Sequence, residues 1–328
     1  MLPYIIIFLA LGALLVIGAL QKRNRPVKAI SANLLITYTM IALILIGAEL
    51  FFRFVYAETD GLPTLASRNW LDRYYHLNTL GYRDREWTQA EWEGKTTILA
   101  VGDSFTAGWG IPDPADRYTD QLAARLGEDY AVINIGEAGT TTVSQLENLR
   151  EYPLQNPDIV LWQYYLNDID DAALSIGLDP GLNPMANMPA WAADSYFGNF
   201  LYWRFASPQT RGSDTYINWL FSMYDNSTVW DIHAGEINAM IDHIESSGAD
   251  MIVLIFPDML QPFNSIPYVD RVADVFEARG FGGQVIKLFD AAESMPLNAR
   301  VASPRDAHPS ADFSTVVADL IYAGFFSR

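Results

Sequence analysis

Three observations predict a three-layer α/β fold: a parallel β-sheet with helices on both faces, in the flavodoxin-like manner, preceded by two transmembrane helices. From Lys95 onward, short apolar runs alternate with amphipathic stretches. One such run, Thr97–Val101, leads directly into Gly102-Asp103-Ser104-Phe105-Thr106, which puts a serine at the carboxyl end of a buried strand, where open α/β sheets carry their chemistry. The first 56 residues contain two long runs almost free of charge. On this reading 1–56 is a transmembrane helical hairpin and 57–94 a connecting region. The α/β domain occupies 95–328 and is interrupted by an aromatic-rich insert at 169–234.

The apolar run from Leu2 to Leu20 reaches about 28 Å as a helix, close to the thickness of a bilayer core. It has no basic residues ahead of it, as a cleaved signal would, and its charges follow instead. A second run extends from about Leu34 to Phe52, and between the two lies Gln21-Lys22-Arg23-Asn24-Arg25-Pro26-Val27-Lys28. Four positive charges in one short loop predict that the loop is cytoplasmic, so both ends of the hairpin and the following domain face outward. Glu49 and Arg53 stand at i, i+4, the spacing of a pair on one helix face. Arg53 is also placed to snorkel to the headgroups.

The connecting region contains Asn78-Thr79-Leu80-Gly81-Tyr82-Arg83-Asp84, read as a turn, with Arg83 expected in a structural salt bridge rather than on substrate. Strands are predicted at Thr97–Val101, Tyr130–Ile135, Asp158–Tyr164, Met251–Phe256 and Gln284–Phe289. Helices are predicted near Ala115–Leu126, Thr142–Glu151, Gly235–Ser246, Tyr268–Arg279 and Ser310–Phe325. The third of these has Ile237, Met240, Ile241 and Ile244 on one stripe. The insert is dense in aromatic side chains between Trp191 and Trp230, which could line an acyl or glycan pocket or rest against the membrane surface; most are expected to form the core of a small helical cap, with a few reaching the site.

Cysteine is absent, which excludes disulfides, thiol catalysis and Cys-ligated zinc. Residues 1–56 carry five basic side chains and one acidic one, a net +4, which leaves −22 for the remainder of a chain whose total is −18. So acidic a domain excludes nucleic acid as a partner. No His-x-x-x-His pair, Walker sequence or dinucleotide fingerprint is present, and neither a metal nor a cofactor is expected.

Four blocks in order resemble the SGNH hydrolases, also called the GDSL esterase/lipase family. They are Gly102-Asp103-Ser104-Phe105-Thr106-Ala107-Gly108, Asn134-Ile135-Gly136-Glu137-Ala138-Gly139-Thr140, Tyr165-Leu166-Asn167-Asp168 and Asp306-Ala307-His308-Pro309. The resemblance runs from about Lys95 to the C-terminus, the insert apart. Many relatives have glycines before the Asn of the third block. The last block has one residue between Asp and His, where two are commoner.

The resemblance implies a serine hydrolase with Ser104 as nucleophile, His308 as base and Asp306 orienting His308. It assigns the oxyanion hole to the Ser104 and Gly139 backbone N–H groups and the Asn167 side-chain amide. The residue types suit these roles: a serine hydroxyl needs a base, imidazole titrates near neutrality, and a neutral amide donates without adding charge. The expected function is a membrane-anchored, extracytoplasmic serine esterase cleaving O-acyl esters on envelope polysaccharide or lipid. Two alternatives stand beside it. One is an O-acyltransferase with the same triad. The other is a noncatalytic subunit whose hairpin binds a membrane-protein partner. The expected location is the cytoplasmic (inner) membrane, with the catalytic domain periplasmic.

Overall fold

The computed structural model describes residues 2–59, 63–181, 188–206 and 213–327. Its contacts divide the chain into two units. One is made of Met1–Glu58, Leu62–Asn69 and Asn183–Ser213, and the other of Thr59–Gly61, Trp70–Leu182 and Asp214–Arg328.

The larger unit is built on a five-stranded parallel sheet: β1 (Thr96–Val101), β2 (Tyr130–Asn134), β3 (Ile159–Tyr164), β4 (Asp250–Ile255) and β5 (Val285–Lys287). The strand order is β2-β1-β3-β4-β5. Ile98 pairs with Val132 on one side and Ile159 on the other. The chain first winds from β1 to β2 and then returns past β1 to β3. This reversal opens a crevice beyond the carboxyl ends of β1 and β3.

Because side chains alternate along a strand, the sheet feeds two cores. Leu99, Val101, Val160, Trp162, Val253 and Ile255 pack against Leu146 and Leu149 and against Ile237, Met240, Ile241, Ile244, Val272 and Phe276. On the opposite face Ile98, Ala100, Leu161, Ile252 and Leu254 meet Tyr118, Leu122, Phe313, Val317 and Ile321. These residues are almost all fully buried, and each aliphatic or aromatic side chain so hidden contributes about 1.5–3 kcal/mol.

Three helices extend further toward the N-terminus than their periodicity indicates, and a cap explains two of them. Ser227–Ser247 starts where Asn226 accepts from the Thr228 and Val229 N–H groups. Pro262–Ala278 starts with a proline in its first turn and continues through an interior Pro267. β5 has only three residues. A two-stranded antiparallel ladder, β6 (Val301–Ser303) with β7 (Asp306–Pro309), precedes the last helix and lies outside the five predicted strands.

The smaller unit contains α1 (Leu2–Ala19) and α2 (Arg25–Phe54). α2 is the third extended helix: Asn24 caps it through the Val27 N–H, so it begins inside the expected basic loop. The two helices pack closely at small residues, Gly12 beneath the Tyr38 ring and Gly18 against Ser31. The Tyr38 hydroxyl donates to the Phe8 carbonyl over 2.8 Å. Among the described residues α2 is the one helix long and apolar enough to cross a membrane, and the apolar helix Pro3–Ala19 is shorter.

The aromatic-rich stretch does not pack as one body. Leu220 and Tyr224, with Trp219, Phe221 and Trp230 around them, join the larger unit's core. Trp203, Tyr202 and Trp191 form a separate small cluster.

Candidate active site

Ser104 opens a single helical turn, Ser104–Ala107, immediately beyond β1. Asp103 caps the turn by accepting from the Phe105 N–H (2.8 Å). The Ser104 N–H, being in a first turn, has no acceptor within it. Gly102 makes the turn feasible: a Cβ there would stand 2.4 Å from Gln163 Oε1 and 2.3 Å from Thr106 Oγ1. Gln163 Oε1 accepts from the Asp103 N–H (3.0 Å) and the Thr106 hydroxyl (2.9 Å), tying the turn to β3. At the end of β2, the Asn134 amide donates to the Thr106 carbonyl (2.7 Å).

His308 Nε2 lies 2.8 Å from Ser104 Oγ, and His308 Nδ1 is hydrogen-bonded to Asp306 Oδ1. Both residues lie on β7. The one-residue spacing has a simple consequence there, because i and i+2 of a strand share a face and the two side chains stand together. Asp306 is fully buried. Burial pushes its carboxyl upward, but the imidazole of His308, by charge and hydrogen bond, together with the Thr59 hydroxyl, outweighs burial and leaves it below the ordinary value. The rings of Phe105 and Trp109 pack against His308 with centroids 5.3 and 5.8 Å away.

Gly139 lies in the loop after β2 with φ +85°, a backbone conformation that disfavours any side chain although the space around it is open. The same loop is held to the end of β1, where the Glu137 N–H (3.0 Å) and Thr140 hydroxyl (3.4 Å) donate to the Gly102 carbonyl. Asn167 lies in the 3₁₀ turn Leu166–Ile169 beyond β3, and its Oδ1 is buried without a hydrogen-bond partner. The structure thus joins Ser104, His308 and Asp306 by contact and sets Gly139 and Asn167 on the loops of the two strands flanking β1.

Two buried networks hold the Asn167 turn. The Tyr224 hydroxyl donates to the Leu166 carbonyl (3.0 Å) and is bonded to the Tyr164 hydroxyl, which lies 2.7 Å from His233 Nε2. Asp168, fully buried, accepts from Gln145 Nε2 and Thr142 Oγ1, each over 3.1 Å. Burial, and then the charge of Asp103, raise the Asp168 carboxyl well above its ordinary value against the pull of those two donors. Asp103 is likewise raised by burial, with the Phe105 N–H and the charge of His308 opposing.

Among the described residues Arg83 forms no ion pair. Its guanidinium donates to the carbonyls of Gly108 (2.6 Å), Ile111 (2.7 Å), Tyr74 (2.9 Å), Ala107 (3.2 Å) and Pro112 (3.2 Å). The expected salt bridge is therefore a clamp on the loop after the Ser104 turn. Burial and the nearby Arg117 charge lower the guanidinium to about 10.

Sequence reasoning missed Gln163, Asp168 and Thr59 as supports. Gln163 had a signal, a polar side chain in the middle of an apolar strand. Thr59, some 250 positions from Asp306 in sequence, had none. Among the described residues no three His, Asp or Glu side chains converge as metal ligands. A surface groove of about 610 Å³ is lined by Thr79, Glu86, Trp87, Trp92 and Leu154 among others, and by none of the residues around Ser104.

Residues 100–313 match the model of the GDSL-like lipase/acylhydrolase family. Among solved structures the chain is similar to TesA, with 17% identity over 70% of this chain and 98% of that one and a TM-score of 0.43. It is also similar to a member of the lipolytic protein G-D-S-L family from Veillonella parvula DSM 2008 (16% identity, 71% and 98% covered, TM-score 0.41). A third similar structure is the psychrotrophic esterase EstA from Pseudoalteromonas sp. (14%, 70% and 96%, 0.43). No curated protein sequence matches the chain. The family match spans well over half of the chain and takes in Ser104, Gly139, Asn167, Asp306 and His308, and the chain belongs to the GDSL-like lipase/acylhydrolase family of hydrolases.

Proposed function

We propose that this protein is a serine esterase, anchored in the cytoplasmic membrane and cleaving O-acyl esters outside the cytoplasm, with envelope polysaccharide or lipid as the substrate class. The observation that carries the reading is the continuous contact from Ser104 Oγ through His308 to Asp306. His308 Nε2 removes the hydroxyl proton as Ser104 Oγ attacks the ester carbonyl, while Asp306 keeps the other ring proton on Nδ1 and stabilises the imidazolium. The Ser104 and Gly139 N–H groups and the Asn167 amide receive the oxyanion. Collapse expels the alcohol, which takes the proton from His308. Water, activated by the same imidazole, then releases the acid from the acyl-enzyme.

The membrane half of the reading is supported by the length and exposure of α2 and by the basic cluster between the two helices, which favours the cytoplasmic side. Both helices cross on this reading, and the chain after α2 emerges outside.

A fluorophosphonate probe tests the chemistry on purified full-length protein. Labelling should map to Ser104 and vanish in Ser104→Ala and His308→Ala. A folded wild type that does not label, in detergent and in lipid alike, would falsify the activated serine.

A further inference from the structure

α2 carries a twenty-residue stretch, Ala29 to Ala48, without a charged side chain. At helical rise this measures about 30 Å, the thickness of the hydrocarbon core. The first charge beyond it is Glu49, which does more than pair with Arg53 one turn on (2.9 Å). Its carboxylate accepts from the Ser195 hydroxyl (2.7 Å) and from the Tyr196 and Phe197 N–H groups (3.1 Å each). These are the groups that open the short helix Tyr196–Leu201. The membrane helix itself thus holds a segment from 146–148 residues later in the chain, at the height of its own first outer charge.

The attachment is reinforced on every side. Phe52 packs on Phe197 and Phe200, with ring centroids 5.5 and 4.3 Å away. The Asn69 amide donates to the Phe52, Arg53 and Tyr56 carbonyls at the end of α2. The Arg53 guanidinium lies 4.8 Å from the Tyr196 ring centre, and that of Arg204 lies 5.1 Å from the Phe200 ring. Next to Arg204, Phe205 is 79% exposed, an apolar side chain that stands uncovered among the described residues of its unit.

We infer that residues 188–206 form a collar around the outer end of α2 that rests in the headgroup–acyl boundary of the bilayer, with Phe205 inserted as its anchor. Depth is the argument. Glu49 fixes the collar about one hydrocarbon thickness from the basic end of α2, and aromatic and arginine side chains are the types that settle at that boundary. An apolar side chain seated there sinks about 5–10 Å. Arg53 and Arg204 are offset by Glu49 and Glu58, so the occupant is ordinary zwitterionic lipid, with no need of an anionic headgroup. The inference rests on the membrane reading of α2.

The cysteine-free chain makes the test direct. Single variants Phe205→Cys and Met40→Cys (mid-span, 57% exposed) are labelled with a small fluorophore in the full-length protein. Each is reconstituted in phosphatidylcholine vesicles containing lipids spin-labelled at a shallow or a deep acyl position. The label at 205 should be quenched about twofold more by the shallow probe than by the deep one, as a boundary residue requires. The label at 40 should show the reverse order. Adding Glu49→Gln to Phe205→Cys should reduce the lipid quenching at 205.

If 40 is quenched but 205 responds only to aqueous iodide, the collar stands in water; the collar is wrong and the anchor survives. If 205 is shielded from both lipid and iodide, protein covers it and the lipid assignment is again overturned. Deeper quenching at 205 than at 40 overturns the assigned height. No lipid quenching at 40 removes the membrane reading and the collar with it.

Discussion

In the α/β unit the most apolar elements are the most hidden: Val160, Leu161 and Trp162 of β3 are essentially inaccessible. In the hairpin unit the relation is inverted. α2 has no buried residue, and Ile44 is 65% exposed. The same residue types are distributed as if for two solvents. The sheet satisfies its backbone between strands and hides its side chains from water. A lone helix satisfies its backbone internally and can present apolar side chains to hydrocarbon. The carboxylates follow the same contrast. Asp306 and Glu49 each lie against a cation or imidazole and several donors, whereas Asp168 is buried with neutral donors only.

Four substitutions sharpen this contrast, in falling order of effect. Asp306→Asn leaves the shape of β7 but lets His308 take the wrong tautomer, and kcat on a short-chain nitrophenyl ester should drop about 10⁴-fold. A drop below tenfold would show that the Asp306–His308 contact orients nothing. Asn167→Ala should cost about 10²–10³ in kcat, with KM nearly unchanged, because the proposed mechanism sets its amide on the oxyanion rather than on the bound ester. Equal losses in binding and turnover would place Asn167 outside the oxyanion site.

The third is a pH effect. The folded state holds the Asp168 proton more tightly than the unfolded chain does. The stability linked to this group is therefore complete below the ordinary carboxylate value and is lost as pH rises through the raised one. Asp168→Asn removes that loss, so the Tm of the variant relative to wild type should be higher at about pH 8 than at about pH 5. A difference independent of pH would mean that Asp168 is ionised in the fold at no penalty.

The smallest effect belongs to the hairpin unit. Glu49→Gln weakens a cap worth about 1 kcal/mol. Amide exchange at Tyr196 and Phe197 should quicken while probe labelling of Ser104 is unchanged. Unchanged exchange would show that aromatic packing alone holds the segment to α2.

Much of the fold was legible in sequence because the signals are local. Period-two and period-3.6 apolar patterns placed the five strands and the helices around them, with ends moved mainly where Asn24, Asn226 and Pro262 start helices earlier than the apolar stripe does. The family blocks pointed to the residues around Ser104. Contacts between distant segments were not legible. Arg83 is expected in an ion pair, yet it binds five carbonyls, because a buried guanidinium takes the acceptors that the folded chain brings into hydrogen-bond reach.

What the chain determined by itself, then, is the order of its elements, the alternation that gives the sheet two buried faces, and the uncharged length of α2. These depend on neighbours within a turn or a strand. Only the tertiary structure decided that β7 is a strand, so that Asp306 and His308 share a face; that Gln163 and Thr59 support the site; and that Glu49 caps a helix 147 residues away. Hydrogen-bond partners are chosen by proximity in the folded chain, and a buried polar group takes whichever complement the packing brings to it.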